Sequence, residues 1–192
     1  MKVNLTIGIP SWLDRIFTWP VTLYRRCKYG YSFRRIYLGE GKFTIVDPPD
    51  FYRFNIFNWS PGENASNNYA VRLISGPKNK TGIVSLHREI MNHPKGFLID
   101  HENGNGLDNR RENLRLATRS QNQFNKRKTR SKTSSRFVGV YFERRKNRWM
   151  ATIHYQGKRI WLGSFKSEID AGRAYDRAAT KYHGEFARLN FS

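Results

Sequence analysis

The sequence predicts an α+β protein: a small mixed α/β region leading into a ββα motif, then a basic linker, then a three-stranded antiparallel sheet packed on one α-helix. Three observations predict it. Apolar residues alternate in three runs between residues 138 and 162, which is the period of half-buried strands. Alanines and tyrosines at helical spacing follow these runs. Upstream, two short strand-like segments flank a loop rich in Asn-Gly steps and precede a helix-capping signal.

The charge of the chain predicts a polyanionic partner. Its 192 residues include 35 Lys+Arg against 15 Asp+Glu, a net charge of +20. Such a field concentrates phosphate polymers near the protein and makes their binding depend on salt. Generic solubilising charge is the alternative, and acids normally balance most of the bases on such a surface. The single cysteine, Cys27, excludes an internal disulfide and every multi-cysteine zinc site, and fits a reducing compartment.

Residues 1–34 form a predicted N-terminal arm whose role the sequence leaves open. Residues 7–20 are apolar and aromatic, and Arg25, Arg26 and Lys28 follow them. The segment lacks the basic start and cleavage site of a signal peptide, and no stretch approaches the ~20 apolar residues of a membrane span. The arm can pack on the protein, lie on DNA, or form a membrane-surface helix. We favour the first two.

Residues 35–125 form the predicted first domain, with its core motif at residues 84–125. Strand-like runs and turn signals alternate in its first half, which carries no recognisable chemistry. The predicted strands are residues 36–38, 43–46, 69–74 and 83–86, and the predicted turns are residues 39–41, 48–50 and 61–64.

The core motif brings polar residues toward one point. Residues 96–100 predict a strand that ends in His101, and the Asn-Gly steps of residues 103–106 predict a tight loop. Residues 113–117 predict the returning strand, and Thr118 or Ser120 caps a helix with Asn122 in its first turn. Strand, loop, strand and helix therefore bring together four polar residues, namely Asp100, His101, Asn113 and Asn122.

These four residue types suit phosphodiester hydrolysis. An imidazole has a reference pKa of about 6.5, so neutral His101 can take a proton from the attacking water. The side-chain carbonyl of Asn113 can orient that imidazole. Asp100 and Asn122 offer hard oxygens that suit Mg²⁺ or Mn²⁺ and its waters. Arg119 is the favoured cation for holding the phosphate, and Arg115 is the second choice. Each residue alone occurs more often as an ordinary surface residue.

The order of short motifs in residues 84–125 resembles the HNH endonucleases of phages and mobile introns. The motifs are residues 86–91 (LHREIM), 94–96 (PKG), 99–101 (IDH), 105–109 (NGLDN), 112–115 (ENLR) and 121–122 (QN). The resemblance implies a ββα-metal motif with His101 as base, Asn113 as its orienter, and Asp100 with Asn122 as metal ligands. Many relatives have histidine at the last position, so Asn122 places this chain in the His-Asn-Asn variant.

The C-terminal half predicts a linker and a sheet. Residues 126–135 contain no acid and no large apolar residue, so we expect a basic linker that either tracks a phosphate backbone or acts as a solvated tether. In the predicted domain of residues 136–192, the apolar face of the sheet packs on a helix. Ser167 caps that helix, six small or aromatic residues form its buried stripe, and Gly184 ends it. The stripe is Ala171, Ala174, Tyr175, Ala178, Ala179 and Tyr182.

The other face of this sheet is the predicted DNA-reading face. A short sheet can enter the major groove, where arginines read guanine edges or hold phosphates. A face that is merely solvated is the alternative, and an exposed tryptophan among arginines argues against it. The candidate DNA contacts are Tyr141, Arg144, Arg145, Arg148, Thr152, His154, Arg159 and Trp161; Glu143 and Met150 share the face.

Motifs in residues 136–191 closely resemble the plant ethylene-response-factor (APETALA) DNA-binding domain. They are residues 138–140 (VGV), 161–165 (WLGSF), 174–179 (AYDRAA), 183–185 (HGE) and 189–191 (LNF). The resemblance implies sequence-specific binding of double-stranded DNA. Tyr141 and Glu143 stand where plant members usually carry arginines, so the plant target sequence does not transfer.

Together, the two resemblances predict a site-specific DNA endonuclease of homing type, cytoplasmic in a bacterial or phage-infected cell. A non-catalytic DNA-binding transcriptional regulator, which keeps the nuclease fold as a scaffold, is the alternative. A membrane-surface protein is a third class that rests on the arm alone. The enzymatic interpretation requires the His101 imidazole to reach water beside the carboxylate and amide oxygens.

Overall fold

The structure is a computed structural model that describes residues 11–64, 67–75, 81–125 and 134–191. The chain divides into two compact units. The first unit holds residues 1–93 and 105–114, and the second unit holds residues 94–104 and 115–192. Within the described ranges, no helix has the length and apolar character that a membrane crossing requires.

The first unit is a succession of short elements. In chain order they are α1 (Ser11–Tyr29), β1 (Arg34–Gly39), β2 (Lys42–Val46), α2 (Pro48–Phe54), β3 (Ser60–Asn64), β4 (Asn67–Ser75), β5 (Thr81–Ser85) and α3 (Leu86–Ile90). β1 and β2 form an antiparallel hairpin, and β3, β4 and β5 form an antiparallel sheet in that order.

Three of the four strands predicted in this unit are confirmed, and the fourth is confirmed through Ser85, whereas Leu86 begins α3. The turn at residues 39–41 is also confirmed, and Gly39 and Gly41 both have positive φ there. Two predicted turns are wrong. Pro48 begins α2. Proline suits the first position of a helix, because the backbone N–H that it lacks would have no partner within the helix there. Residues 61–64 lie in β3, an edge strand, where a proline costs no ladder hydrogen bond on its open side.

The helix α1 is held to the rest of the first unit by polar contacts. Arg34 Nη1 donates to Asp14 Oδ2 at 2.9 Å, and Arg25 Nη1 donates to the Phe33 carbonyl at 2.6 Å. The hydrogen bond from Arg34 lowers the pKa of Asp14 against the opposing effect of burial. Phe17 and Trp19 stay 73% and 63% exposed. Residues 1–10 of the arm lie outside the described residues. Contact of the arm with DNA, or alternatively with a membrane surface, stays a prediction.

Buried polar groups fix the loop after residue 104 against β2. The Thr44 hydroxyl donates to the Leu107 carbonyl at 2.8 Å, and the Asn109 amide donates to that hydroxyl at 2.7 Å. Arg110 holds Asp108 through two nitrogens at 2.8 and 2.9 Å and also pairs with Glu112. Although burial opposes it, the hydrogen bonds to Asp108 raise the pKa of Arg110. This loop is therefore held by side chains distant in sequence.

The second unit contains the end of the ββα motif and residues 136–191, which we call the C-terminal module. Its elements are β6 (Leu98–His101), β7 (Leu114–Ala117), α4 (Arg119–Phe124), β8 (Val140–Glu143), β9 (Arg148–Tyr155), β10 (Lys158–Phe165) and α5 (Glu168–His183). β6 and β7 form a two-stranded sheet, in which β7 belongs to this unit from Arg115 onward.

The C-terminal module has the predicted sheet and helix. β8, β9 and β10 are antiparallel in the order β10-β9-β8. Ser167 caps α5 by accepting from two backbone N–H groups, and Gly184 follows its last residue. Five of the six stripe residues are buried, and Tyr182 is half-buried. Ala151 and Ala179 have no exposed surface, so these small side chains let the helix lie close to the sheet.

The predicted linker falls largely outside the described residues, which resume at residue 134. The Ser135 hydroxyl is 2.7 Å from Glu168 Oε1, and the Ser134 hydroxyl accepts from the Phe142 N–H at 2.9 Å. These two serines therefore pack on the C-terminal module and do not belong to a free linker. For residues 126–133, the linker stays a prediction.

Candidate functional site

The end of β6 places Asp100 and His101 next to one another. The motif continues through β7 into α4, where Thr118 rather than Ser120 is the cap. Thr118 Oγ1 accepts from the Gln121 N–H at 3.3 Å, and Gln121 Oε1 accepts from the Thr118 N–H at 2.8 Å. This reciprocal capping box fixes the first turn of a helix of only six residues.

The Asp100 carboxylate is held by two neighbours. Arg115 Nε donates to its Oδ2 at 2.9 Å, and Arg115 Nη2 forms an ion pair with the same oxygen at 2.9 Å. The Asn125 amide nitrogen is 3.0 Å from Oδ2 and 3.2 Å from Oδ1. Asp100 is 6% exposed. From these partners, Oδ2 therefore accepts two hydrogen bonds and one further ion-pair contact, whereas Oδ1 has one long contact to the Asn125 amide.

Sequence reasoning missed Asn125 and misassigned Arg115. Besides Asp100, the Asn125 amide lies 2.9 Å from the His101 carbonyl and 3.2 Å from the Glu102 carbonyl. Its position three residues after Asn122, at the C-terminal cap of the same helix, was the available signal. Arg115 was expected as a spare cation for phosphate. It is instead bound to Asp100, because a guanidinium fork matches a carboxylate edge.

His101 is less exposed to solvent than its predicted role as a base suggests. Its exposure is 5%, so the expectation of an imidazole facing open solvent is corrected to one that is nearly enclosed. The residue takes part in polar or ring contacts, and its carbonyl accepts from Gly104 N–H at 2.8 Å. A general base needs only one ring nitrogen within reach of one water. The enclosure of His101 therefore restricts the directions from which that water can approach the imidazole.

Asn113 lies in the first unit, at the end of a 3₁₀ turn over Arg111–Asn113. It is 6% exposed, and its Nδ2 donates to the Asp108 carbonyl at 2.7 Å. This bond uses the donor end of the amide, and the predicted orienting role needs the acceptor end. Orientation of His101 by Asn113 stays a prediction.

The two other candidates lie on α4. Asn122 is half-buried, and its N–H donates to the Thr118 carbonyl at 3.0 Å. Arg119 is the first residue of the helix and is exposed. Contact between Arg119 and a phosphate stays a prediction.

The oxygen donors suit a hard divalent cation. Within the described residues, no three His, Cys, Asp or Glu side chains come together as a metal-binding group. Asp100 offers one lightly bonded oxygen, and Asn122 would add an amide oxygen. A cation held by so few protein ligands must keep several waters or take substrate oxygens, which is how Mg²⁺ is usually bound.

The free face of the C-terminal sheet carries most of the predicted DNA contacts at its surface. Trp161 is 63% exposed, and Arg159 and His154 are exposed. Arg144 and Arg145 are exposed in the 3₁₀ turn Arg144–Lys146. Tyr141 and Arg148 are half-buried, as is Glu143. The Arg159 guanidinium lies 5.5 Å from the centre of the Tyr141 ring, so these two side chains form one surface feature.

Thr152 and Met150 correct the prediction for this face, since each is only 7% exposed. Thr152 Oγ1 accepts from Arg159 Nε at 3.5 Å. Alternation assigned these residues to the correct side of the strand, but neighbouring long side chains cover a central strand. Thr152 therefore supports Arg159 rather than presenting its own hydroxyl.

Two family models match this chain. One is described as HNH endonuclease and matches residues 92–124, and the other is described as AP2 domain and matches residues 135–185. The first contains the candidate residues of the ββα motif. The second contains the three-stranded sheet and all of α5.

Similar proteins come from viruses and plants. Protein 3.8 of Escherichia phage T7 is 33% identical over 98 residues, which cover 50% of this chain and 78% of the phage protein. An uncharacterized HNH endonuclease of Acanthamoeba polyphaga mimivirus is 28% identical over 158 residues, which cover 79% of this chain and 76% of the viral protein.

The likeness to plant proteins covers a smaller part of this chain. APETALA2-like protein 2 of Oryza sativa subsp. indica is 48% identical over 59 residues, or 31% of this chain. The matched segment spans only 14% of the rice protein.

Proposed function

This chain belongs to the HNH endonucleases and carries an AP2 domain, and from that premise we propose that it is a site-specific DNA endonuclease of the homing type. The observation that carries the proposal is the placement of Asp100 and His101 at the end of β6, within the matched segment that also contains Asn113, Arg119 and Asn122. The proposed substrate is double-stranded DNA, which the net charge of +20 attracts.

His101 is the proposed general base. Its neutral imidazole takes a proton from a water, the water oxygen attacks phosphorus, and the P–O bond to the leaving sugar oxygen breaks. Because His101 is 5% exposed, the attacking water must approach through a narrow opening. The hydrogen bond from Asn113 Nδ2 to the Asp108 carbonyl supports the orienting role, because it engages the donor end of the amide, whereas orientation of His101 uses the side-chain carbonyl.

Asp100 and Asn122 are the proposed ligands of one divalent cation, Mg²⁺ or Mn²⁺. When bound, such a cation neutralises charge on the scissile phosphate and stabilises the leaving oxygen. The carboxylate is held through Oδ2, which supports a role for Oδ1 toward the cation. Arg119, exposed at the start of α4, is the proposed phosphate contact.

The AP2 domain is the proposed targeting element. Its exposed residues Trp161, Arg159, His154, Arg144 and Arg145 lie on the sheet face and its first hairpin, a surface able to enter the major groove. Half-buried Tyr141 and Arg148 complete the proposed contacts. Recognition by this sheet would give the nuclease its site.

Plasmid cleavage tests the proposal. Supercoiled plasmid should be nicked or cut with Mg²⁺ or Mn²⁺ and should stay intact with EDTA. His101→Ala should lose a factor of about 10² to 10⁴ in cleavage rate while retaining DNA binding in gel shifts. His93→Ala, which removes an exposed imidazole that is not among the candidate site residues, is the matched control and should cut normally. A His101→Ala protein that cuts like wild type would refute the assignment.

The enclosure of His101 favours a second candidate, a non-catalytic DNA-binding regulator that retains the nuclease fold as a scaffold. Such a protein binds its site equally well with and without metal and never cuts. The plasmid assay and a gel shift in EDTA separate the two functions, because only the endonuclease changes the DNA when metal is added.

A further inference from the structure

The Asp100 carboxylate is connected through one side chain to the turn that ends the C-terminal module. This turn, His183–Phe186, is called the module turn. Arg115 binds Asp100 through Nε and Nη2, and its Nη1 donates to the Glu185 carbonyl at 2.7 Å. The guanidinium lies 4.1 Å from the centre of the Phe186 ring. All three nitrogens and one face of Arg115 are therefore in use.

A second connection runs through the end of α4. Asn125 binds both carboxylate oxygens of Asp100. The residue before it, Phe124, stacks on His183 with ring centres 3.7 Å apart and planes 4° from parallel. Asn125 and Phe124 together thus make the same two connections as Arg115. Asn125 contacts the carboxylate, and Phe124 contacts the module turn.

These contacts are shielded from water. The side chains of Arg115 and Asp100 are 15% and 7% exposed, and Phe186 is 4% exposed. A charge pair in such surroundings is screened less than a surface pair. A planar guanidinium can bind a carboxylate through two nitrogens and stack on an aromatic ring at the same time. A lysine ammonium is a compact point charge without this planar geometry.

We propose that Arg115 is a positioning residue that ties Oδ2 of Asp100 to the module turn and so presents Oδ1 to the cation. The DNA-binding module thereby sets the geometry of the nuclease motif. This inference rests on the proposed function, in which Asp100 is a metal ligand. Arg115 acts through Asp100 and does not itself contact DNA.

Full-length variants that keep charge or volume test this role. Arg115→Lys keeps the positive charge and loses the fork and the ring contact. Phe186→Leu keeps apolar volume and loses the ring face beneath Arg115. Phe191→Leu is the matched control, because Phe191 packs on Phe137, with ring centres 4.8 Å apart, within the same module. Thermal unfolding of each variant reports whether it is folded.

Two measurements report the effect on the metal. Mn²⁺ binding to each protein is titrated by electron paramagnetic resonance of free Mn²⁺, and the Mn²⁺ concentration for half-maximal plasmid cleavage is measured in parallel. Loss of a residue that orients a metal ligand typically weakens metal binding or activity by 10–100-fold. We therefore expect a weakening of about tenfold for Arg115→Lys and a smaller one for Phe186→Leu, with Phe191→Leu unchanged.

DNA binding in EDTA separates this role from a phosphate contact. We expect Arg115→Lys to bind DNA like wild type without metal. The inference is overturned if Arg115→Lys and Phe186→Leu match wild type in both Mn²⁺ measurements, or if Arg115→Lys weakens metal-free DNA binding by the same factor. Wild-type protein that cuts alongside such variants leaves the proposed function intact, whereas wild-type protein that never cuts refutes the proposed function itself.

Discussion

The C-terminal module and the first unit are stabilised by different kinds of interaction. The module buries Ile153, Ala171 and Ala179 between a sheet and a helix, each with at most 1% exposure. The first unit, although it also has apolar residues in its core, fixes its loop at residues 105–110 with a charge pair. The side chains of that pair, Asp108 and Arg110, are 3% and 7% exposed.

This difference determines how each region tolerates substitution. Apolar packing is non-directional and fails mainly when volume changes or atoms overlap. A buried ion pair is directional, and removing one partner leaves the other charge in a medium that solvates it poorly. The module should therefore be most sensitive to shape, and the loop of the first unit to charge.

The largest effect is expected where shape is most constrained, at Gly139. This residue has φ +72°, and a Cβ there would overlap the Tyr175 ring and lie 2.6 Å from the Thr152 carbonyl oxygen. Gly139→Ala should destabilise the module by roughly 3–5 kcal/mol, from overlap together with backbone strain. Gly157→Ala is the control, with φ +73° and no atom within 4 Å. Urea denaturation should show a much smaller cost there, and equal costs would contradict the packing argument.

A charge change should have the next largest effect, in the first unit. Arg110→Met removes both guanidinium hydrogen bonds to the Asp108 carboxylate and takes away the positive charge that pairs with this buried group. We expect a loss of about 3 kcal/mol in the free energy of unfolding. Lys42→Met, at the exposed pair with Glu40, is the same substitution in an open site and should change stability little. Similar losses for both would show that burial of the pair is unimportant.

Alkaline pH should weaken the module through one buried hydroxyl. Burial, helped by the charge of Asp176, raises the pKa of Tyr175 from 10.0 to about 12. Because the folded-state pKa lies above the unfolded value, the resulting stability is present below pH 10 and is lost as pH rises through 12. The loss should reach roughly 2–3 kcal/mol. Tyr175→Phe should abolish that part of the loss in urea denaturation, whereas Tyr37→Phe, at a 66% exposed site, should retain it.

The smallest effect on stability, with a clear effect on function, is expected at Trp161. Its ring is 63% exposed, so Trp161→Ala should leave the free energy of unfolding within about 0.5 kcal/mol of wild type. DNA affinity should fall by about tenfold or more, as for aromatic anchors of other interfaces. Ile169→Ala, 43% exposed on α5, should leave DNA affinity unchanged. Equal affinities for the two variants would place the DNA contact elsewhere.

Prediction from sequence succeeded where the signal was local and periodic. The three strands of the module, the buried stripe of α5 and the Ser167 cap follow from alternation, helical spacing and capping preferences. Burial of Thr152 and Met150 did not follow, because alternation assigns a residue to a face without showing which long side chains cover it. The two misassigned turns, at Pro48 and residues 61–64, failed because proline also suits a helix start and an edge strand.

At the candidate site, the sequence by itself determined which residues are available, that Asp100 and His101 end a strand, and that Asn122 follows a capped helix start. The tertiary structure decided how they are held. Arg115 is a partner of Asp100 rather than a spare cation, Asn125 joins them, and His101 is nearly enclosed. The physical reason is that spacing fixes only neighbours along one element, whereas a charged side chain pairs with whichever opposite charge the folded chain brings within hydrogen-bonding distance.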